Sequence, residues 1–250
     1  MEKKKTITST FNIHPLTYLF IFISLFTAKF KSIILFMSLI IFHELGHLLT
    51  AKLFNWKIDK IYIYPLGGLT RFNDSINKPF HEEILVTIMG PIFQIILSFF
   101  LINIDQNITV YNKLLLIFNL FPIIPLDGGK LLNCFLSIIL PYKISLNLII
   151  RISYIMYLLL SLYFFNNIKS LFFIVVFISL IFKIWEEDRK KDFYFNKFLL
   201  ERYLYFFKFK RDILIDNVKK MYKYRNNIIM KNNKLLNEKE AIKSLFNKNI

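Results

Sequence analysis

The sequence predicts an all-α polytopic membrane protein with about six transmembrane helices, a membrane-associated hairpin and a small C-terminal cytoplasmic α/β tail. Three observations lead there. The 250-residue chain is 55% apolar and 18% aromatic, with a positive mean hydropathy. Its apolar residues fall in runs close to the roughly 20 residues that a helix needs to cross a bilayer. Its basic excess, a formal charge of +16, flanks those runs or crowds the last quarter of the chain, as cytoplasmic segments facing anionic headgroups do.

Lys3, Lys4 and Lys5 precede the first apolar run, Leu16 to Phe30. No small-residue cleavage site follows, so this run reads as an uncleaved first span and not as a signal peptide. The second span is Ser32 to Phe54 and the third Ile84 to Ile104. The fourth is interrupted: Leu114 to Leu120, a Pro/Gly break, then Leu131 to Leu140. The fifth runs from Ile144 to Phe165 and the sixth from Leu171 to Trp185. An even count puts both termini on one side, and the distribution of Lys and Arg places that side in the cytoplasm. Between spans two and three, strand formers flank Pro65, Gly67 and Gly68 within Ile61 to Phe72, the pattern of a hairpin or re-entrant loop.

After Trp185 the composition shifts, giving a transmembrane part over 1–185 and a basic tail over 186–250. Glu186, Glu187 and Asp188 read as a solvated charge run, and the aromatics of Phe193 to Phe209 as a segment lying on the membrane surface. Ile213 to Phe246 reads as a small mixed α/β piece. No recognition motif accompanies the positive charge, which argues against nucleic acid as a partner. The lone Cys134 excludes an intrachain disulfide and a cysteine-based zinc site; in its apolar run it reads as a small buried hydrophobe.

The chemistry centres on His43-Glu44-Leu45-Gly46-His47. Residues four apart share one face of a helix. Two imidazoles there can bind one zinc ion, and Glu44 can reach a water on the metal, take its proton and pass it to a leaving amine. The motif lies inside an apolar helix, where ionisable groups are costly and usually mark function. A buried polar cluster that pairs helices is the plain alternative.

A catalytic zinc takes three protein ligands plus water. The candidates for the third are His14, His81, Asp59, Asp74, Asp105 and Asp127. Asp127 is the best placed, within Asn119-Leu-Phe-Pro-Ile-Ile-Pro-Leu-Asp-Gly-Gly129 in the interrupted fourth segment. Pro122 and Pro125 cannot donate backbone hydrogen bonds, and Gly128 and Gly129 loosen the chain. Broken backbone at membrane depth is tolerated where it lines a cavity or is buried in protein. The alternative is a short loop with Asp127 capping the next helix. His14 and His81, near predicted membrane boundaries, read as bystanders.

This pairing of an apolar His-Glu-x-x-His helix with a later Asn-x-x-Pro-x-x-x-Leu-Asp-Gly resembles the site-2 protease family of intramembrane zinc proteases. The resemblance covers the first four spans. It implies one zinc ion per chain held by His43, His47 and Asp127, with Glu44 as catalytic acid/base. It implies that Asn119 orients substrate backbone or a developing oxyanion, and Pro125 joins it in the expected substrate-binding set. The loop with Gly67 and Gly68 resembles the family's membrane-associated hairpin, whose edge would pair with an unwound substrate strand. Gly90-Pro91 resembles another family element, in which many members carry Asn three residues after the proline; this chain has Gln94, which keeps the amide. The alternative for Gly90-Pro91 is a simple kink.

The span count, the motif's place in the second span and Phe198-Leu-Leu-Glu-Arg-Tyr203 resemble the sporulation subgroup of the family, which processes the precursor of the mother-cell sigma factor, pro-sigma-K. That implies a membrane-tethered, pro-sigma-K-like protein substrate, inhibitory membrane partners, and a place in the bacterial cell membrane. Leu235 to Phe246 resembles the end of a CBS unit. The roughly 45 residues after Tyr205 are too few for a tandem CBS pair, though they are the segment available for self-association. Two other readings stay open. A membrane zinc protease of the prenyl-protein or heat-stress type would take Glu186 or Glu187 as third ligand and leave the Leu-Asp-Gly-Gly segment without a role. A non-enzymatic scaffold would not need the intact motif.

Overall fold

The computed structural model describes residues 11–13, 18, 30–64, 67–72, 75–165, 171–231 and 234–246. His14, Asp74 and almost all of the predicted first span, Leu16 to Phe30, lie outside them. The chain is mostly helical with two small sheets, and it divides into two units, 1–74 with 81–119 and 75–80 with 120–250.

In the first unit, helix α1 spans Phe30–Leu53 and α2 spans Phe80–Leu101. Both are long and apolar enough to cross a membrane. α1 ends in a Schellman motif. Asn55 adopts φ 56°, its N–H reaches the Lys52 carbonyl at 3.0 Å, and the Trp56 N–H reaches that of Ala51 at 2.9 Å. The Trp56 indole then donates to Glu82 at 2.8 Å, an acid in the first turn of α2, where the helix dipole favours negative charge. α2 continues through Pro91. Helix α3, Ile108–Leu120, closes the packing, with Ile108 and Leu115 buried against Leu35, Leu39 and Ile40.

The predicted hairpin is present as β2, Ile58–Tyr64, and β3, Gly67–Phe72, paired with Tyr64 opposite Gly67. A strand the sequence reading missed, β1 (Phe11–Ile13), pairs parallel with β2. β2 is therefore the central strand, and β3 remains an edge among the described residues.

In the second unit the interrupted segment is resolved as a break at 121–126 followed by α4, Asp127–Ile139. The break is satisfied internally. Ile123 N–H bonds Phe121 O at 2.7 Å, Leu126 N–H bonds Ile123 O at 2.8 Å, and Ile124 N–H reaches Ser153 Oγ at 2.9 Å. Ser153 sits on α5, Tyr142–Phe165, the third helix among the described residues that is long and apolar enough to span a membrane. Ile123 is buried against Leu180 and Ile184 of α6, Leu171–Leu204. Gly128 and Gly129 do not loosen the chain, as the sequence suggested. They are in the first turn of α4, where a Cβ would overlap the main chain of Leu120, Phe121 and Ile123. A short polar seam, Ser137 to Ser145 at 2.8 Å and Ser145 to Asn133 at 2.7 Å, joins α4 to α5. Cys134 is buried, as expected.

Helix α6, Leu171–Leu204, is 34 residues long and runs well past Trp185. The expected solvated run is helical because its charges sit at helix spacing: Lys190 pairs with Glu186, Lys191 with Asp188 at 2.7 Å. The reading of Phe193 to Phe209 as a surface-lying segment is corrected for part of its length, although Phe193, Tyr205 and Phe206 are exposed. Phe195, Phe198 and Leu199 are buried in the core of the tail with Tyr142, Ile215, Val218, Met221, Ile229 and Ile242. That tail holds β4 (Asp212–Ile215) parallel to β5 (Asn226–Lys231), β6 (Lys234–Leu236) antiparallel to β5, and helix α7 (Glu238–Phe246).

The Glu-Arg of Phe198-Leu-Leu-Glu-Arg-Tyr203 organises this core. Glu201 accepts from Ser75 Oγ (2.6 Å), Ile76 N–H (2.8 Å) and the Asn77 amide (2.9 Å). Arg202, only 2% exposed, donates to Asn77 (2.7 Å), the Lys223 carbonyl (2.6 Å) and Glu238 (3.3 Å). Burial lowers its pKa to about 10, a drop that Glu238 opposes.

Candidate metal centre

Helical spacing puts His43 and His47 on one face of α1, and α2 supplies a partner for each ring. The His47 Nδ1 lies 2.8 Å from the Val86 carbonyl, which can only accept, so this nitrogen carries the proton. The His43 Nδ1 lies 3.0 Å from Gln94 Oε1 and donates to it. With both rings neutral, as metal ligation requires, each Nε2 then presents a lone pair, and the two nitrogens face each other at 3.1 Å. Two lone pairs at that distance repel, and a cation between them turns repulsion into attraction.

The spacing fits zinc. Two nitrogens each 2.0–2.1 Å from a tetrahedral zinc ion stand about 3.3–3.4 Å apart. The ligand atoms of His43, Glu44 and His47, all buried, lie within 4.8 Å of one another. Two imidazole nitrogens are donors that zinc takes, and the Glu44 carboxylate lies next to them on the same helix.

Two glycines let the helices come this close. A Cβ at Gly46 would overlap the Met89 carbonyl, and one at Gly90 would overlap the His47 ring. Gly90 is therefore more than a kink site, because its bare Cα provides the space that the imidazole fills. Sequence reasoning did not foresee this role, although the Gly-Pro pair marked the place. Pro91 follows within an uninterrupted helix.

Asn119 belongs to the first unit and is buried at the end of α3. Gly67 and Gly68 open the edge strand β3. His81 is exposed and its ring meets Phe54 edge-on. Asp127 lies in the second unit, buried, as the first residue of α4. The cap position before it is Leu126, so Asp127 does not cap that helix. Its Oδ1 accepts from Lys130 at 2.9 Å. Pro125 lies two residues before it, after a cis peptide bond. Glu186 and Glu187, the alternative ligand source, are engaged by Lys190 and Tyr194.

Residues 31–106 match the family model described as peptidase family M50. The chain is 32% identical over 214 residues to stage IV sporulation protein FB of Bacillus subtilis, covering 81% of this chain and 74% of that protein. It is 37% identical over 118 residues to a zinc metalloprotease of Methanocaldococcus jannaschii, covering 42% of this chain and 34% of that protein. Among solved structures it superposes on the site-2 protease from Methanocaldococcus jannaschii with a TM-score of 0.58 and 27% identity, over 71% of this chain and 89% of that one.

Proposed function

This chain belongs to peptidase family M50, the site-2 proteases, and from that premise we propose that it cuts a membrane-tethered regulatory protein, a pro-sigma-K-like precursor in a sporulating bacterium. It is an integral membrane protein and a zinc-dependent metalloendopeptidase. The observation that carries the choice of substrate is the similarity to a sporulation protein across four fifths of the chain.

In this reading His43, His47 and Asp127 hold the metal. Asp127 is favoured by its burial and by its place at the head of α4, where the helix dipole attracts negative charge. Zinc, when bound, supplies a Lewis acid that acidifies water toward neutrality. Glu44, beside the histidines on α1, takes the proton from the attacking water and returns it to the leaving amine. Asn119 orients the substrate backbone together with Pro125, two residues before Asp127. The edge strand β3, with Gly67 and Gly68 at its start, pairs with the unwound substrate. Both termini face the cytoplasm, the tail over 186–250 included, and membrane proteins of the same cell hold the enzyme inactive until it is needed.

Co-expression of wild type and Glu44→Gln with a tagged pro-sigma-K-like protein tests this. Cleavage by the wild type alone is expected. Cleavage by both would remove Glu44 from the chemistry, and cleavage by neither would remove this substrate class.

A further inference from the structure

The polar contacts of His43 do not stop at Gln94. Gln94 is fully buried on α2. Its Nε2 donates to both oxygens of Asn112 on α3, the side-chain Oδ1 at 2.7 Å and the main-chain carbonyl at 3.1 Å. The Asn112 amide donates to Ser98 Oγ at 3.0 Å, and Ser98 donates to the Ile95 carbonyl at 2.7 Å.

This chain of bonds has one direction. A glutamine amide can be turned over, and the turned form would exchange donor for acceptor at both ends. The main-chain carbonyl of Asn112 forbids it, because that oxygen only accepts and would face the Gln94 oxygen. At the far end the Ser98 proton is spent on a second main-chain carbonyl, so its oxygen is the acceptor for Asn112. Polarity is therefore fixed from both ends: Asn112 gives an acceptor to Gln94, and Gln94 presents its oxygen to His43.

We propose that Gln94, oriented by Asn112 and Ser98, is a positioning residue that holds His43 as the Nδ1–H tautomer with the Nε2 lone pair toward the metal. It does for His43 what the Val86 carbonyl does for His47. The difference is that His47 is served by main chain and His43 by a side chain that needs its own support. An acceptor behind a ligating imidazole fixes the ring, selects the tautomer and raises its basicity, and its loss typically weakens metal binding by roughly 10–100-fold. The inference rests on the zinc reading above.

The test is metal binding by the purified full chain in detergent. Metal-free wild type, Gln94→Leu, Asn112→Leu and the double variant are titrated with zinc against a competing chelator, and the cobalt-loaded forms are compared by visible absorption. Gln94→Leu is expected to lose roughly 10–100-fold in zinc affinity and to shift the cobalt bands. Asn112→Leu, which touches neither histidine, is expected to lose about two- to tenfold, because the main-chain carbonyl still accepts from Gln94. The double variant is expected to bind as Gln94→Leu does, since Asn112 acts only through Gln94. Wild-type affinity and an unchanged cobalt spectrum in Gln94→Leu would overturn the proposal, as would losses that multiply in the double variant. Should Gln94→Leu fail to accumulate, Asn112→Leu decides: a cobalt spectrum and affinity identical to wild type would overturn the relay. A wild type that binds neither ion would sink the zinc reading itself, and the inference with it.

Discussion

Two of the buried polar clusters among the described residues are completed in different ways. Around Arg202 the protein supplies its own counterparts: Asn77, Glu238 and the Lys223 carbonyl all accept from the guanidinium. The ring faces of Phe198 and Phe209 lie 5.4 and 4.3 Å from it. Around His43 and His47 the outer nitrogens are committed to Gln94 and Val86, and the inner nitrogens face each other at 3.1 Å. The first arrangement is closed by opposite charge and matched acceptors, so its work is to hold structure. The second sets two lone pairs toward one point, an arrangement that a cation stabilises. A buried polar residue is thus read by where its last lone pair points, not by its burial.

Four substitutions would break or sharpen this contrast. The largest effect is expected from Glu44→Gln, which removes proton transfer and leaves the imidazoles in place. Cleavage of a tagged substrate should fall by roughly 10²–10⁴-fold, with zinc content by mass spectrometry unchanged. Gly90→Ala comes next. Its Cβ would occupy the space of the His47 ring, so zinc affinity should fall by about tenfold or more while the protein still inserts into the membrane.

Arg202→Met should act oppositely. It leaves Glu238 without its buried partner, and breaking such a pair costs about 3–5 kcal/mol. The lower end applies, because Glu238 keeps 19% of its side-chain surface exposed. Thermal unfolding in detergent should shift downward with zinc binding unchanged. The wild-type melting temperature should carry no slope from Arg202 below about pH 10, because the guanidinium is protonated in both states there. Above that, the native state releases the proton first, and this group's contribution rises with pH.

The smallest effect is expected from Asp216→Asn. The Lys220 ammonium, 2.8 Å away, holds the Asp216 carboxyl below its usual range. A lowered carboxyl pKa stabilises the fold above the ordinary value and loses that contribution as pH falls. The pair is exposed, so wild type and variant should differ barely at neutral pH, and that small difference should vanish once the pH falls below the lowered carboxyl pKa.

Much of this was legible in the sequence, and the parts that were not share a cause. The His-Glu-x-x-His motif is local: helical spacing alone predicts that His43 and His47 share a face, and they do. The spans near Ser32 to Phe54, Ile84 to Ile104 and Ile144 to Phe165 followed from run length. β1 was missed because three residues carry no periodicity, and only pairing with β2 makes them a strand. α6 was read as ending at Trp185 because Glu186 to Asp188 looked solvated, yet the lysines three and four residues on extend the helix. Phe195 and Phe198 were assigned to a membrane surface because aromatic content says nothing about which core receives it. Gln94 was recognised as an amide kept in a Gly-Pro element. That it reaches His43 on one side and Asn112 on the other depends on how α1, α2 and α3 pack, which no spacing within one helix reveals.

The most direct test of the metal site is the zinc content of purified wild type, Glu44→Gln and Asp127→Ala. One zinc ion per chain is expected in the first two and close to none in the third. A full complement of zinc in Asp127→Ala would contradict the site built from His43, His47 and Asp127.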